Sequence, residues 1–260
     1  MRPLPRKIRA SLRAAVSYFR HRGLREEDVF LASYPRSGNT WIKFMLAELM
    51  INKGVNFNSV ETVIPYVGAH QDAVQLWHGG RIIKTHEKFR REYKRSIYIV
   101  RDGRDVAVSY YHMWLRHNQG DFSAFLKRFL DGEIDYYGTW PDNVESWLKA
   151  RKSAQVLVVK YEECLHDPQV TLLRILEYAG VSVDEMRLQE CILSNKPERM
   201  KAKELLPKHQ NVRKGVAGDW MNYFSPSDLE LFMNRAGATL VKLGYPGMEM
   251  KDSSAELKIL

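Results

Sequence analysis

Residues 29–50 read VFLASYPRSGNTWIKFMLAELM, and no other stretch restricts the fold as strongly. A short apolar run of strand length, Val29 to Ser33, leads into Tyr34-Pro35-Arg36-Ser37-Gly38-Asn39-Thr40, and an apolar pattern of helical period follows. Strand, polar turn and helix in immediate succession open a parallel α/β unit, in which the helix points its free N–H groups and positive dipole end into the turn. Such a turn binds an anion. Gly38 permits close backbone approach, Ser37, Asn39 and Thr40 add short donors, and Arg36 adds a fixed charge with forked donors for phosphate-like oxygens. A helix cap alone requires fewer of these groups.

The rest of the chain repeats the alternation. Strand-length apolar runs occur at Val29 to Ser33, Arg81 to Thr85, Ser96 to Val100 and Gln155 to Lys160, separated by helical patterns at Thr40 to Asn52, Asp105 to Leu115, Phe122 to Leu130, Asn143 to Ala150, Asp167 to Gly180 and Ser225 to Leu243. Continuous runs such as SIYIV and QVLVVKY suit strands covered on both faces. The fold expected is α/β, a three-layer sandwich with a central, mainly parallel sheet. Asp167-Pro168 and Ser225-Pro226 each place a cap ahead of a first-turn proline. The organisation expected is a basic amphipathic helix over residues 1–24, a single domain over 25–250 and a tail over 251–260.

A formal charge of +9 and a pI near 9.4 favour an anionic partner. Basic residues concentrated at strand ends, with no recognition motif, argue against nucleic acid. In residues 1–24, Ile8, Leu12, Ala15, Val16 and Phe19 share one helical face amid Arg6, Lys7, Arg9, Arg13, Arg20 and Arg22. Two readings stand for this helix: docking on its own domain, or peripheral contact with a membrane surface. No run reaches the ~18 apolar residues of a spanning helix, and no apolar signal-peptide core opens the chain, so a soluble, cytoplasmic protein is expected. Cys164 and Cys191 lack metal-ligand spacing and read as buried thiols.

A second constellation lies in RSIYIVRDGRDVAVSYYHMW. The strand delivers Arg101 to the same sheet edge, and the helix after it carries Ser109 in its first turns, so the two can meet a second phosphate group. The turn after Ser33 departs from G-x-x-x-x-G-K-[ST]: the first glycine is missing and Asn39 stands where the lysine belongs. The expected ligand is therefore an anion that needs no metal.

YPRSGNTW, then YIVRDGRDVAVSYYH, then RKGVAGDW resemble, in order, the motifs of the soluble sulfotransferases that use 3′-phosphoadenosine 5′-phosphosulfate (PAPS). The resemblance spans roughly residues 29 to 245 and implies a P-loop-like site for the phosphosulfate. It implies that Arg36, Ser37, Gly38, Asn39 and Thr40 hold the 5′-phosphosulfate and that Trp41 stacks on the adenine. Arg101 and Ser109, joined by Arg213, Lys214 and Gly215, would hold the 3′-phosphate, and Tyr161 would sit near the adenine. The product nucleotide is then 3′-phosphoadenosine 5′-phosphate (PAP), with no metal required. RIIKTHEKF matches the family's lysine-x-histidine pattern through Lys84 and His86. His86 is the expected general base, since histidine alone has an ordinary pKa suited to taking a proton near neutrality; Lys84 and Arg36 would stabilise the oxygen that becomes anionic. Two positions depart from the family: Arg36 stands for the usual lysine, and Lys196-Pro197 stand where a serine or threonine precedes phenylalanine.

Tyr66, Trp77, Tyr110, Tyr111, Trp114, Phe122, Tyr136, Tyr137 and Trp140 crowd the segments expected to overhang the sheet edge. The acceptor expected is an alcohol, a phenol or an amphiphilic, lipid-linked alcohol. The rival readings are a catalytically inactive relative that still binds PAPS or PAP, and a P-loop kinase, which predicts Mg²⁺ and ATP dependence.

Overall fold

The computed structural model describes residues 16–203 and 214–247, with residues 201–203 described as backbone only. Four strands, β1 (Val29–Ser33), β2 (Ile82–Thr85), β3 (Arg95–Val100) and β4 (Gln155–Lys160), form one parallel sheet in the order β2-β1-β3-β4. Around them lie α1 (Asn39–Ile51), α2 (Val60–Val63), α3 (Gly103–Trp114), α4 (Phe122–Leu130), α5 (Trp140–Ala150), α6 (Tyr161–His166), α7 (Pro168–Ala179), α8 (Glu185–Ser194), α9 (Pro197–Lys203) and α10 (Pro226–Lys242).

The two-residue period of each strand divides the core into two layers. Val29, Leu31, Ile97 and Ile99 join one buried cluster with Ile42 and Leu46 of α1, Leu172 and Ile175 of α7, and Leu188 of α8. Phe30, Ala32, Tyr98 and Val100 join the other with Val106 of α3, Phe125 of α4, Trp147 of α5 and Phe232 of α10. Burial on both faces is what the unbroken apolar runs required, and β1 and β3 meet it; β4, at the sheet edge, is only half-buried apart from Val159, so QVLVVKY is not covered as its run suggests. β1 is entirely buried, and it pairs with β2 on one side and β3 on the other. The chain therefore reverses its direction of travel across the sheet beside β1, which makes the carboxyl ends of β1 and β3 the expected ligand crevice.

Capping explains several boundaries. Asp102, Asp121, Thr139, Asp167 and Ser225 each accept a backbone N–H of the helix they precede. Because Thr139 caps α5 and Pro141 sits in its first turn, α5 begins three residues before the Asn143 expected from the apolar pattern. The helical pattern did not reveal α2, α6, α8 or α9. In α8 only Leu188 and Cys191 are buried, too few to write a clear stripe.

Residues 16–20 are helical. Arg20 donates to the Val67 carbonyl at 3.2 Å, and His21 meets the Tyr93 hydroxyl at 2.8 Å, so the end of this segment is docked on the domain. Val16, Tyr18 and Phe19 remain 57%, 67% and 64% exposed. The remainder of the expected amphipathic helix, residues 1–15, and the tail over 251–260 lie outside the described residues. No described helix is long and apolar enough to cross a membrane. Cys164 and Cys191 are free and buried.

Candidate active site

A cleft opens at the carboxyl ends of the strands, lined among others by Arg36, Gly38, Thr40, Trp41, Lys84, His86, Arg101, Ser109, Tyr161, Lys214 and Gly215. Each enters from a segment that directly follows a strand or from the first two turns of the next helix, apart from Lys84 within β2 and the 214–216 stretch. The turn after β1 places Arg36 and Gly38 in the left-handed region, at φ 68° and 91°. Gly38 is required twice over: the positive φ disfavours a side chain, and a Cβ there would strike the Tyr161 ring. Ser37 is buried, and its hydroxyl has no hydrogen-bond partner among the described residues. Asn39 also lines the cleft, and its amide donates to Leu31 O at 3.1 Å and Ser33 Oγ at 3.2 Å, tying the turn back to β1.

The two anion-binding constellations touch. Arg36 Nε donates to Ser109 Oγ at 3.0 Å, and Arg101 Nη1 donates to the Arg36 carbonyl at 3.3 Å. The Arg101 guanidinium lies 4.6 Å from the Tyr161 ring centroid, donates to Val216 O at 3.0 Å and leaves a buried Nε without a partner among the described residues. Behind it, Asp105 accepts from the backbone N–H groups of Gly218 (2.8 Å) and Trp220 (2.9 Å), clamping the 216–220 segment onto α3. Lys214 reaches Asp219 at 2.7 Å, while Arg213 lies outside the described residues. On the opposite wall Trp41 meets Tyr161 edge-on at 6.0 Å and donates Nε1 to Asn195 O at 2.7 Å, with Pro197 alongside.

Lys84 and His86 stand two residues apart at the end of β2. Lys84 is 3% exposed, and its Nζ donates to the Tyr66 hydroxyl at 2.9 Å. Burial, with the Lys43 charge and Arg36 beyond it, brings the Lys84 ammonium down to about 7. His86 Nδ1 lies 2.8 Å from Ser33 O, a carbonyl that accepts only if Nδ1 carries the proton. That leaves Nε2 with its lone pair, and no described residue hydrogen-bonds to it. Burial, then the Lys84 charge, lowers His86 to about 3, so the imidazole is neutral near pH 7. Asn143 pins the backbone here, donating to His86 O at 3.0 Å while accepting from the Tyr98 hydroxyl at 2.9 Å. Tyr137 packs edge-on against the imidazole at 5.6 Å and Tyr66 lies 6.3 Å from it.

The buried Ser37 hydroxyl and Arg101 Nε, without partners among the described residues, are polar groups that an anionic ligand would complete. Of the expected acceptor-side aromatics, Tyr66, Tyr136 and Tyr137 gather near His86, whereas Tyr110 and Trp140 are core residues and Trp77 stands 86% exposed. Two other histidines are engaged elsewhere: His78 meets Ala179 O and His112 meets Tyr223. Three supporting groups had escaped the sequence reading: Asn143, Asp105 and the buried Lys43. Only Lys43 had left a trace, as a cation in the middle of the apolar run TWIKFMLAELM.

Comparison with known proteins places these features in a wider set. Residues 26–244 match the family described as sulfotransferase domain. Sulfotransferase 1B1 of Mus musculus is 30% identical over 240 residues, covering 79% of this chain and 80% of that protein. Sulfotransferase 1 family member D1 of Rattus norvegicus is 28% identical, over 80% of this chain and 81% of its own length. Among solved structures, mouse sulfotransferase SULT7A1 complexed with PAP superposes with a TM-score of 0.68 at 26% identity, covering 87% of this chain and 92% of that one. Retinol dehydratase in complex with androsterone and PAP shares the fold at a TM-score of 0.71 and 21% identity, covering 89% of this chain and 85% of its own.

Proposed function

The chain belongs to the sulfotransferase family, whose members move a sulfuryl group from PAPS to a hydroxyl acceptor, and on that premise we propose that His86 is the general base of the transfer. The observation that carries this is the Nδ1 contact to Ser33 O, which commits one nitrogen and leaves Nε2 as a lone pair beside Lys84 and Arg36.

Bound PAPS supplies the sulfuryl group and leaves as PAP. Arg36, Ser37, Gly38, Asn39 and Thr40 hold its 5′ end, Trp41 and Tyr161 flank the base, and Arg101, Ser109, Arg213, Lys214 and Gly215 take the 3′-phosphate. Asn39 serves by bracing the turn, and the hydrogen bond between Arg36 and Ser109 ties the two ends of the site together. His86 Nε2 takes the acceptor's hydroxyl proton as its oxygen attacks, and the imidazolium that results faces an anionic neighbour instead of an empty cationic cleft. Arg36 and Lys84 present positive charge to the negative charge that builds as the bond to sulfur breaks. Arg36 keeps its proton throughout and acts as a clamp. Catalysis is mostly positioning and fixed charge, as in phosphoryl transfer.

Tyr66, Tyr136 and Tyr137 beside the imidazole support an alcohol or phenol small enough to pack on rings, or the head of an amphiphile. The exposed Val16, Tyr18 and Phe19, following a basic stretch, support membrane contact and a lipid-linked acceptor. PAP should raise the unfolding midpoint of the purified chain. Sulfur-labelled PAPS with an extract should then label a hydroxyl compound, and His86→Ala should slow that labelling by ~10²- to 10⁴-fold while keeping the PAP-induced shift. Loss of both together would remove His86 from the role of base.

A further inference from the structure

Tyr66, in the cleft wall, carries a cation on each of two approaches. Lys84 Nζ lies 4.6 Å from its ring centroid and Lys43 Nζ lies 5.4 Å from the same centroid. Lys84 lines the cleft; Lys43, 1% exposed, comes from the middle of α1 and does not. Its ion-pair partner is Glu61 of α2, which is 42% exposed. One cation on an aromatic face is attracted by the ring, but two sharing a ring repel each other, and burial removes the water that would screen them. Packing does not ask for this arrangement, since an apolar side chain of similar length would fill position 43 without desolvating a charge. The groups facing Lys84 are Lys43 from α1, Glu61 from α2, Tyr66 from the loop after α2, Arg36 from the turn after β1 and His86 from the end of its own strand. Glu61 is the one anion in this set, and Lys43 engages it.

We propose that Lys43 is a positioning residue for the transfer site: paired with Glu61, it presses on the Lys84 ammonium beside Tyr66, so that Lys84 completes its protonation only as an anion enters the cleft. The proposal rests on the placement of Lys84 in the donor-binding wall. Before an anion enters, part of the repulsion among Arg36, Lys84 and Lys43 is thereby relieved, and the arriving anion brings in a proton along with its own charge. Affinity for the nucleotide becomes coupled to pH on the alkaline side of neutrality. The lowering of Lys84 to about 7, with burial the first cause and Lys43 the second, points the same way.

Calorimetric titration of PAP into the full chain from pH 6 to 9 tests this, using wild type, Lys43→Met, Lys43→Arg and Lys84→Met. One linked proton weakens wild-type binding by up to tenfold per pH unit above the onset. Lys43→Met should move the onset to higher pH, giving several-fold tighter binding than wild type at pH 8.5 and equal binding at pH 6. Lys43→Arg keeps the charge and should keep the wild-type onset. The nucleotide's own phosphate titration is common to all four proteins and cancels. A Lys43→Met protein with the wild-type onset, or one weakened equally at every pH, overturns the role of Lys43. A Lys84→Met protein that binds PAP like wild type at every pH overturns the placement of Lys84 itself, a separate failure with a separate signature.

Discussion

The imidazole of His86 has one nitrogen engaged by Ser33 and one open, and Asn143 holds the peptide that carries it. General-base catalysis supplies ~10²- to 10⁴-fold in rate, so His86→Ala should lower kcat by about that factor while PAP affinity, read by thermal shift, changes little. The pH profile separates the two basic groups at the end of β2. His86 is depressed to about 3 and is therefore already neutral, hence competent, across pH 5 to 8 in the free enzyme. Lys84, at about 7, is charged below that pH and loses its proton above it. Because kcat/KM reports the free enzyme, kcat/KM for PAPS should fall as pH rises past about 7 and show no acid limb near 6.5. A rising limb centred at 6.5 that disappears in His86→Ala would contradict the buried, neutral imidazole. The residues that touch the ligand crevice were readable because their chemistry sits immediately after an apolar strand. Asn143 was not, because its partner is 57 residues away and its own helix pattern gives no sign of what its amide meets.

At the level of elements, the turn after β1 and the segment after Lys214 are held by different means. The turn depends on backbone shape. Gly38→Ala would incur roughly 1–2 kcal/mol for a left-handed non-glycine residue and would also displace the Tyr161 ring, so the PAP-induced rise in unfolding midpoint should vanish. The 216–220 segment depends on one carboxylate, since Asp105 accepts from both Gly218 and Trp220 and lies 3.7 Å from Arg101. Hydrogen bonds to a charged group are worth ~1.5–3 kcal/mol, so Asp105→Asn, which keeps the shape and removes the charge, should raise the KM for PAPS on the order of tenfold with kcat nearly unchanged. A fall in kcat with an unaltered KM would place Asp105 in the chemistry instead of the clamp. The same contrast governs what the sequence shows. All four strands appear within one residue of their observed bounds: burial on both faces writes an unbroken apolar run in β1, β2 and β3, and the edge strand β4 keeps such a run although only Val159 in it is fully buried. The clamp is invisible in one dimension, since nothing local links Asp105 to Trp220, 115 residues on.

Across the whole molecule, positive charge is distributed unevenly in a way that bears on where the acceptor comes from. Residues 1–25 contain eight arginines and lysines and no acidic residue. The structure takes up the end of this stretch, with Arg20 on Val67 and Glu87 and His21 on Tyr93, yet leaves Val16, Tyr18 and Phe19 largely in solvent. Apolar side chains exposed beside a basic run fit an anionic bilayer, where each arginine or lysine near the surface adds on the order of 1 kcal/mol and the apolar side chains add their burial in the interface. A truncation that tests this must spare the docked turn, because removing His21 would also strip a partner from Tyr93 inside the domain. The intact chain should float with vesicles containing phosphatidylserine, and a chain beginning at Val16 should float several-fold less. The difference should shrink as salt is raised from 50 to 500 mM, since screening acts over ~10 Å at 0.1 M. Equal flotation of the two chains would leave the basic run as a solvated appendage and return the acceptor to the soluble alcohols and phenols that Tyr66, Tyr136 and Tyr137 can hold against His86.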